Sequence, residues 1–539
     1  MSVGRSSLLL ASGTVVSRIL GFINAVVLAR TLGLVGSGAD AFALANQLPN
    51  NIYAIVAGGV LSAVLVPHIV KSGLDSDGGA NYINKLLTLG IAVFAVVAIL
   101  ATIAAPLFVG LYAQQSAGAG DLGFSAADIS LAIAFAWWCL PQVFFYAVYS
   151  LLGEVLNAKG LFGPFTWAPV LNNIVAISGM VWLGVVFSGS VSLATDWSGG
   201  EIAILAGSAT AGVAAQALIL FVFLGRAGIR FRPDFRFRGV GLGETSRVAA
   251  WMLGMILVTQ VAGILQSNIA SLATTNGDPG LAVLRFGWLV FMLPHSVVTV
   301  SLATAYFTRM STYVRDGNHS ALSHDIRESL ARVSLFMVLA SAGLWVTAPF
   351  VAQVFDGSAS SGLAPVISLY AVGLVPFGIV FVLQRVFYAL GDTRTPFVIQ
   401  LAQAGVFSGL ALWVGTGGTE NVATGLATAL SVSTWVQAVV MGVSLHRRLG
   451  KTFDRTEISS FGAFVLAVVP SIALGLFVAS FAHGALLNQW GPGILESLVS
   501  AVLVAVVMSV TYFAGLLVLR NETAAKVIAP FRNRGNNRA

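Results

Sequence analysis

The sequence predicts an all-α integral membrane protein of about fourteen membrane-spanning helices. Three observations carry this expectation. Hydrophobic residues make up 57% of the 539-residue chain and charged residues only 9%, where a soluble domain carries about 25% charged residues. The mean hydropathy is +0.89, and the apolar residues fall in runs of about 20, the length that crosses a bilayer. The cations then collect in alternate connections between those runs.

Taken in order, spans are expected at 8–32, 41–70, 84–113, 127–156, 161–186 and 201–224, then at 245–273, 281–308, 329–355, 363–390, 395–415, 421–444, 459–484 and 493–519. Long apolar stretches are divided at punctuation such as Lys159-Gly160 and Gly391-Asp392-Thr393-Arg394. Arg18 interrupts the first apolar run and no clean small-residue cleavage site follows, so the first run is a retained helix rather than a signal peptide.

The charges test the count independently. With a cytoplasmic N-terminus, even-numbered loops and their edges hold Lys71, Lys85, Lys159, Arg226, Arg230, Arg232, Arg236, Arg238, Arg309, Arg315, Arg327, Arg394, Arg447, Arg448, Lys451 and Arg455. The tail adds Arg520, Lys526, Arg532, Arg534 and Arg538. Odd-numbered loops hold no Lys or Arg, the nearest exception being Arg30 in the last turn of the first span, and carry Asp40, Asp121, Asp196, Asp278, Asp356 and Glu420. One missing or added span would break this alternation from that point onward. Both ends are therefore expected in the cytoplasm.

Several function classes are excluded. The net charge of +7 comes from short loops between apolar runs, not from a basic face for nucleic acid. The single cysteine, Cys139, allows no intrachain disulfide, and no Cys/His metal spacing occurs. There is no P-loop, nucleophile elbow or HExxH, so no catalytic residue, metal or cofactor is expected and the chain reads as a transporter rather than an enzyme. The 58 glycines fit closely packed membrane helices.

Polar residues inside spans are the candidate site, because a charge at mid-bilayer costs about 2.5–3.5 kcal/mol and persists only facing a cavity or a partner. Arg18 lies about ten residues into the first span, roughly 15 Å deep at 1.5 Å per residue. Gly21 and Ala25, at i+3 and i+7, make its face small and open. In the second span Ala43, Gln47, Asn50, Ala54 and Gly58 share one stripe. That stripe suits a cavity wall or interhelical hydrogen bonds equally. The eighth span carries Arg285, Trp288, Met292, His295 and Thr299 on one face. Glu154 and Arg385 sit near inner ends of the fourth and tenth spans, where snorkelling or pairing at a cytoplasmic gate is expected. Pro106, Pro141, Pro349, Pro376 and Pro470 are expected at kinks and helix ends.

The longest basic loop, 225–244, divides the chain into similar parts. Phe387–Pro396 also echoes Leu156–Pro164 where a span ends and the next begins with proline, which suggests two related lobes.

Specific motifs then become recognisable. They are Ala11-Ser-Gly-Thr-Val-Val-Ser-Arg-Ile-Leu-Gly-Phe22, Ala39-Asp-Ala-Phe42 with Leu48-Pro-Asn50, Ala168-Pro-Val-Leu-Asn-Asn173 and Tyr388-Ala-Leu-Gly-Asp-Thr-Arg-Thr-Pro396. In this order, over nearly the whole chain, they resemble the MurJ (MviN) family of lipid II flippases, within the multidrug/oligosaccharidyl-lipid/polysaccharide exporter superfamily. The resemblance implies two six-helix lobes and two extra C-terminal helices: 1–224 and 245–444 joined by the linker 225–244, then 445–519 and a basic tail 520–539. It implies alternating access that moves an undecaprenyl-pyrophosphate-linked peptidoglycan precursor outward across the bacterial cytoplasmic membrane. Partners would be that substrate, membrane lipids and cell-wall synthesis proteins.

On this resemblance Arg18, Asn24, Gln47, Asn50, Arg285 and Trp288 are the expected substrate contacts, and Glu154, Arg385, Asp392 and Arg394 the gating or structural set. Spans one, two, seven and eight would line the cavity, and 459–519 would offer a groove for the polyprenyl tail. The chain departs from the family in reading Asn24-Ala25 where many members have Arg-Asp, and Tyr53-Ala54 and Ala57-Gly58-Gly59 where many have basic residues and Ala-Glu-Gly. Some members also place acidic sodium ligands on the seventh, eleventh and twelfth spans, whereas 245–273, 395–415 and 421–444 here contain no Asp or Glu. Alternatives are a flippase for another lipid-linked polysaccharide, a multidrug or small-molecule exporter, or a non-transporting scaffold for cell-wall enzymes.

Overall fold

A computed structural model describes residues 3–72, 79–116, 121–187, 194–236, 246–356, 362–450, 455–491 and 493–536. Parts of several expected features lie outside the described residues: 237–244 of the basic loop, 117–120 and 188–193 of two external loops, 451–454, and 537–539 of the tail.

The described residues form helices and no β-strand. In order these are α1 (Val3–Leu32), α2 (Ser37–Ser72), α3 (Ala80–Ile103), α4 (Ala105–Tyr112), α5 (Ala126–Cys139), α6 (Gln142–Ala158), α7 (Phe162–Val186), α8 (Gly199–Arg226) and α9 (Ser246–Ser271). There follow α10 (Leu281–Pro294), α11 (Val300–Arg315), α12 (His319–Phe355), α13 (Leu363–Ala389), α14 (Arg394–Val414), α15 (Val422–Leu449), α16 (Arg455–Trp490), α17 (Ile494–Val518) and α18 (Glu522–Asn536). Among the described residues, thirteen stretches are long and apolar enough to cross a membrane. The 36-residue α2 brings the helices of crossing length to the expected fourteen.

Local chemistry sets the ends. α5 begins at a capping box in which Ser125 and Asp128 exchange hydrogen bonds with each other's backbone N–H. Ser198 and Glu201 do the same for α8. Each box satisfies donors that a helix N-terminus otherwise leaves unpaired. Prolines act in two ways. Pro141 separates α5 from α6, and Pro106 falls in the first turn of α4, so the spans expected at 127–156 and 84–113 are each broken in two. Pro349, Pro376 and Pro470 lie inside continuous helices. After Pro294 a π-helical turn, His295–Thr299, joins α10 to α11. A proline cannot donate to the carbonyl four residues back, and the helix takes up an extra residue there.

The surface has the character of a lipid-facing one. Val185 is 77% exposed, Trp413 73%, Leu107 71% and Val518 82%. Asp40, Gln142, Gln216, Ser267, Gln403 and Gln437 are buried. In water such a surface is unfavourable; in hydrocarbon it is the solvated one.

The chain divides into two compact units, Met1–Ala282 and Val283–Ala539. In the first, α7 packs along α8 and α1, α2 packs on α5, α6 and α9, and α3 on α6. In the second, α12 packs on α13, α16 and α17, α13 on α15, and α14 on α15.

Candidate functional site

The first unit holds Arg18, Asn24, Gln47, Asn50 and Glu154. α1 meets α7 along a stripe of small residues at four-residue spacing: Gly13, Ser17, Gly21 and Ala25. A Cβ on Gly13 would lie 2.7 Å from Trp167 Nε1, so the two helices touch there. Asn173 of α7 pins the seam. Its Nδ2 donates to the Ser17 carbonyl at 3.2 Å, and its Oδ1 accepts from Asn24 Nδ2 at 3.4 Å. Gly21 lies 3.8 Å from Asn173 at a would-be Cβ, and Ala25 is 6% exposed. The face through Gly21 and Ala25 is therefore small because α7 packs on it, not because it borders open space. Arg18, beside Ser17, is half-buried at the flank of this seam.

α2 and α9 run antiparallel and are joined by a ladder of polar contacts. The Asp40 carboxylate accepts the Thr274 hydroxyl at 2.7 Å and the Ala282 N–H at 2.8 Å. Gln47 Nε2 donates to Ser267 Oγ at 2.8 Å, and Gln260 Nε2 to the Asn51 carbonyl at 3.3 Å. Gln260 and Ser267 are seven residues apart and so share one face of α9, and Thr274, in the short 3-10 turn after that helix, continues the same spacing. The same helix is tied to α4 and the segment after it: Asn268 Nδ2 donates to the Leu111 carbonyl at 2.7 Å, and Ser271 Oγ accepts the N–H of Gln114, two residues past α4, at 2.8 Å. Gln47 is thus an interhelical contact, while Asn50 is exposed. Glu154, half-buried on α6, lies close enough to Tyr53 of α2 to act on it electrostatically. The Tyr53 ring packs 6.0 Å from Tyr146 and 6.3 Å from Phe94.

In the second unit, Trp288 belongs to an aromatic cluster. It stacks on Phe291 with centroids 4.9 Å apart and meets Phe377 and Tyr370 edge-on at 5.7 and 6.0 Å. Buried His295 extends the cluster, 4.6 Å from Phe377 and 5.0 Å from Phe381. The Arg385 guanidinium lies 3.9 Å over the Phe381 ring, a cation–π contact that the low-dielectric surroundings strengthen. His295 Nδ1 and Thr299 Oγ1, in the π-helical turn, are buried without a hydrogen-bond partner among the described residues. Arg285, one turn into α10, is half-buried.

Asp392 and Arg394 lie at the α13–α14 junction. Asp392 caps α14 through the Thr395 N–H at 2.9 Å and hydroxyl at 2.7 Å, and also pairs with Arg448 at the end of α15. Burial alone would raise its pKa; the Thr395 and Arg448 hydrogen bonds outweigh burial and hold the carboxyl below its ordinary range. Arg394, the first residue of α14, is exposed.

α14 and α15 share a neutral network. Gln400 Nε2 donates to Gln403 Oε1 at 3.1 Å, Gln403 Nε2 to Ser433 Oγ at 2.9 Å, and Gln437 Nε2 to Gln400 Oε1 at 2.8 Å. Among the described residues no group of three His, Cys, Asp or Glu side chains is placed to hold a metal ion.

The structure thus brings Trp288, His295 and Arg385 together through α13 aromatics, and ties Asn24 and Gln47 to neighbouring helices. Sequence reading missed Asn173, Gln260 and Ser267. Asn173 closes the Ala168–Asn173 motif, and the seven-residue spacing of Gln260 and Ser267 on α9 is the signal for the other two.

A family model described as "Lipid II flippase MurJ" matches residues 28–520, from the end of α1 to just past α17. The chain belongs to this family. The "Probable lipid II flippase MurJ" of Rhizobium tropici is 24% identical over 531 residues, covering 96% of this chain and 95% of the relative. That of Haemophilus influenzae is 26% identical over 502 residues, covering 88% and 92%. A solved structure titled "Lipid II flippase MurJ, inward closed conformation" superposes with a TM-score of 0.68 at 19% identity, covering 95% of this chain and all of that one. An inward-facing multidrug resistance transporter of the MATE family, in the MOP superfamily, superposes with a TM-score of 0.62 at 17% identity, covering 81% and 95%. At these identities the two structures speak for the fold. MurJ-family membership makes the chain a multi-pass membrane protein of a transporter family.

Proposed function

We propose that this chain is a lipid II flippase, moving undecaprenyl-pyrophosphate-linked peptidoglycan precursor across the bacterial cytoplasmic membrane by alternating access. The observation that carries the reading is the MurJ family match over residues 28–520, nearly the full set of spans. The multidrug-exporter reading has only a shared fold at 17% identity behind it.

Within this reading Arg18 is the pyrophosphate ligand. A guanidinium presents a planar fork matched to phosphate oxygens, and Arg18 is half-buried at span depth, where transporters bind their substrates. Asn50 is the polar side chain of α2 offered to the headgroup, since Gln47 is engaged by Ser267. Both chain ends, the loop 225–244 and the tail lie in the cytoplasm, following the alternation of cations. The transporter resets on membrane potential or proton flux. α9, α14 and α15 carry no carboxylate, and the α14–α15 amides satisfy one another, leaving little for a hard cation that wants anionic oxygen.

The deciding experiment is genetic complementation. Cells depleted of their own lipid II flippase should resume growth when this chain is expressed. Lysis despite correctly inserted protein would overturn the assignment.

A further inference from the structure

The second unit contains a cleft of about 780 Å³ lined by none of the residues expected to contact the substrate headgroup. It lies where the first half of α12, the start of α16, the end of α17 and the start of α18 converge. That volume is in the range of small-molecule sites, about 300–1,000 Å³. Arg327, Arg332, Arg520 and Lys526 line it against two carboxylates, Glu328 and Glu522, leaving the wall with net positive charge. Glu328 is already engaged by Arg332 at 2.5 Å.

Arg520 is held there against its own backbone preference. α17 closes with the Arg520 N–H on the Leu517 carbonyl and the Asn521 N–H on the Leu516 carbonyl, each at 3.0 Å. This closure favours glycine in the left-handed conformation. Arginine occupies it at φ 52°, the one non-glycine positive φ among the described residues. Asn521 then starts α18 by accepting the Ala524 N–H at 3.0 Å. Strain retained at a position that glycine would relieve points to a use for the side chain.

The cleft opens beside an apolar surface. Leu517, Val518 and Leu519, which immediately precede Arg520, are 49%, 82% and 44% exposed. Leu466 of α16 is 65% exposed. A ligand that fits this junction carries a phosphate at one end and hydrocarbon at the other.

We propose that the cleft binds the phosphate of an anionic phospholipid, whose acyl chains lie along the exposed faces of α16 and α17. Cation clusters at the ends of spans bind such headgroups through charge-assisted hydrogen bonds. This site is separate from Arg18 and its test involves no transport.

The experiment is thermal unfolding of the full chain in neutral detergent, titrated with phosphatidylglycerol, phosphatidylcholine or soluble glycerol 3-phosphate. Phosphatidylglycerol should raise the melting temperature by several degrees, and the other two should not. Arg520→Gly removes the strained backbone, so without lipid it should melt no lower than wild type. Its half-maximal phosphatidylglycerol concentration should rise about tenfold, the loss expected for one charge-assisted hydrogen bond. Lys526→Ala removes an exposed side chain and should weaken the response likewise, which keeps the test decisive if Arg520→Gly fails to fold. Equal shifts with phosphatidylcholine, or full responses in the folded variants, overturn the site. A shift with glycerol 3-phosphate equal to that with phosphatidylglycerol would make the ligand a free phosphate and overturn the lipid assignment.

Discussion

Replacing Asp40 with alanine should loosen the first unit without touching the candidate substrate contacts. The carboxylate is fully buried and serves two donors from the far end of the unit, the Thr274 hydroxyl at 2.7 Å and the Ala282 N–H at 2.8 Å. Alanine leaves both without that acceptor, at about 1–3 kcal/mol per buried donor. Part of this returns, because a buried carboxylate no longer has to be desolvated. The net loss is about 3 kcal/mol. Asp40→Asn should cost about half as much, since its carbonyl serves one donor while its NH₂ confronts the other. A second substitution tests the geometry. A Cβ at Gly280 would lie 2.7 Å from Asp40 Oδ2 and 3.2 Å from the Ala270 carbonyl, so Gly280→Ala should destabilise by forcing the carboxylate aside. With Asp40 already alanine, most of that clash is gone. The double variant should therefore lose less than the sum of the single losses. The assay is melting of detergent-solubilised protein for the four members of the cycle. An Asp40→Ala variant that melts with wild type, or strictly additive losses, would refute the anchor.

Four further outcomes are expected. Arg18→Ala should abolish flipping in proteoliposomes while insertion stays normal, because removing a mid-bilayer charge relieves about 2.5–3.5 kcal/mol of insertion cost; Arg18→Lys should retain partial activity, and a parallel fall in melting temperature would make Arg18 a structural residue instead. Flipping should persist when sodium is replaced by choline at fixed membrane potential, and strict sodium dependence would defeat the coupling argument. In a Cys139→Ala background, cysteines at exposed Asp196 and Phe235 should label oppositely with an impermeant thiol reagent, and labelling of both from outside would break the fourteen-span topology. Asp392 has a depressed pKa in the folded chain, so its capping contribution is complete at neutral pH and is lost as pH falls through and below the ordinary 3.8; the melting difference between wild type and Asp392→Asn should shrink over that range.

The spans were legible because bilayer and loop impose opposite compositions, and the alternation of cations fixes their number as well as their sides. Hydropathy averaged over a span hides a break of one or two residues. That is why α3 and α4, or α5 and α6, read as single helices although Pro106 and Pro141 stand at the breaks. Asp40 was legible only as an acidic residue at a span edge. Its partners lie 234 and 242 residues away, and no local pattern announces them.

The α2 stripe shows where periodicity stops being informative. Gln47 and Asn50 are three residues apart, less than one turn, and sequence assigns both to one face. In the structure Gln47 reaches Ser267 on α9 and Asn50 is exposed. The difference is made by α9, whose Gln260 and Ser267 meet positions 51 and 47 of α2, not 50. A polar stripe on a membrane helix therefore acquires its meaning from its partner helix. Where the partner offers matching donors and acceptors the stripe is adhesive, because no water is present to satisfy either side. Where it does not, the same residue types remain available to a substrate. Arg18 obeys the same logic from the other side. Asn173 takes the Ser17 carbonyl and Asn24, one turn on either side of Gly21, and closes the seam with α7. Arg18 stands half-buried beside that seam, and the charge-preserving Arg18→Lys is the substitution that separates a phosphate-binding role from a structural one, because lysine keeps the charge and loses the fork.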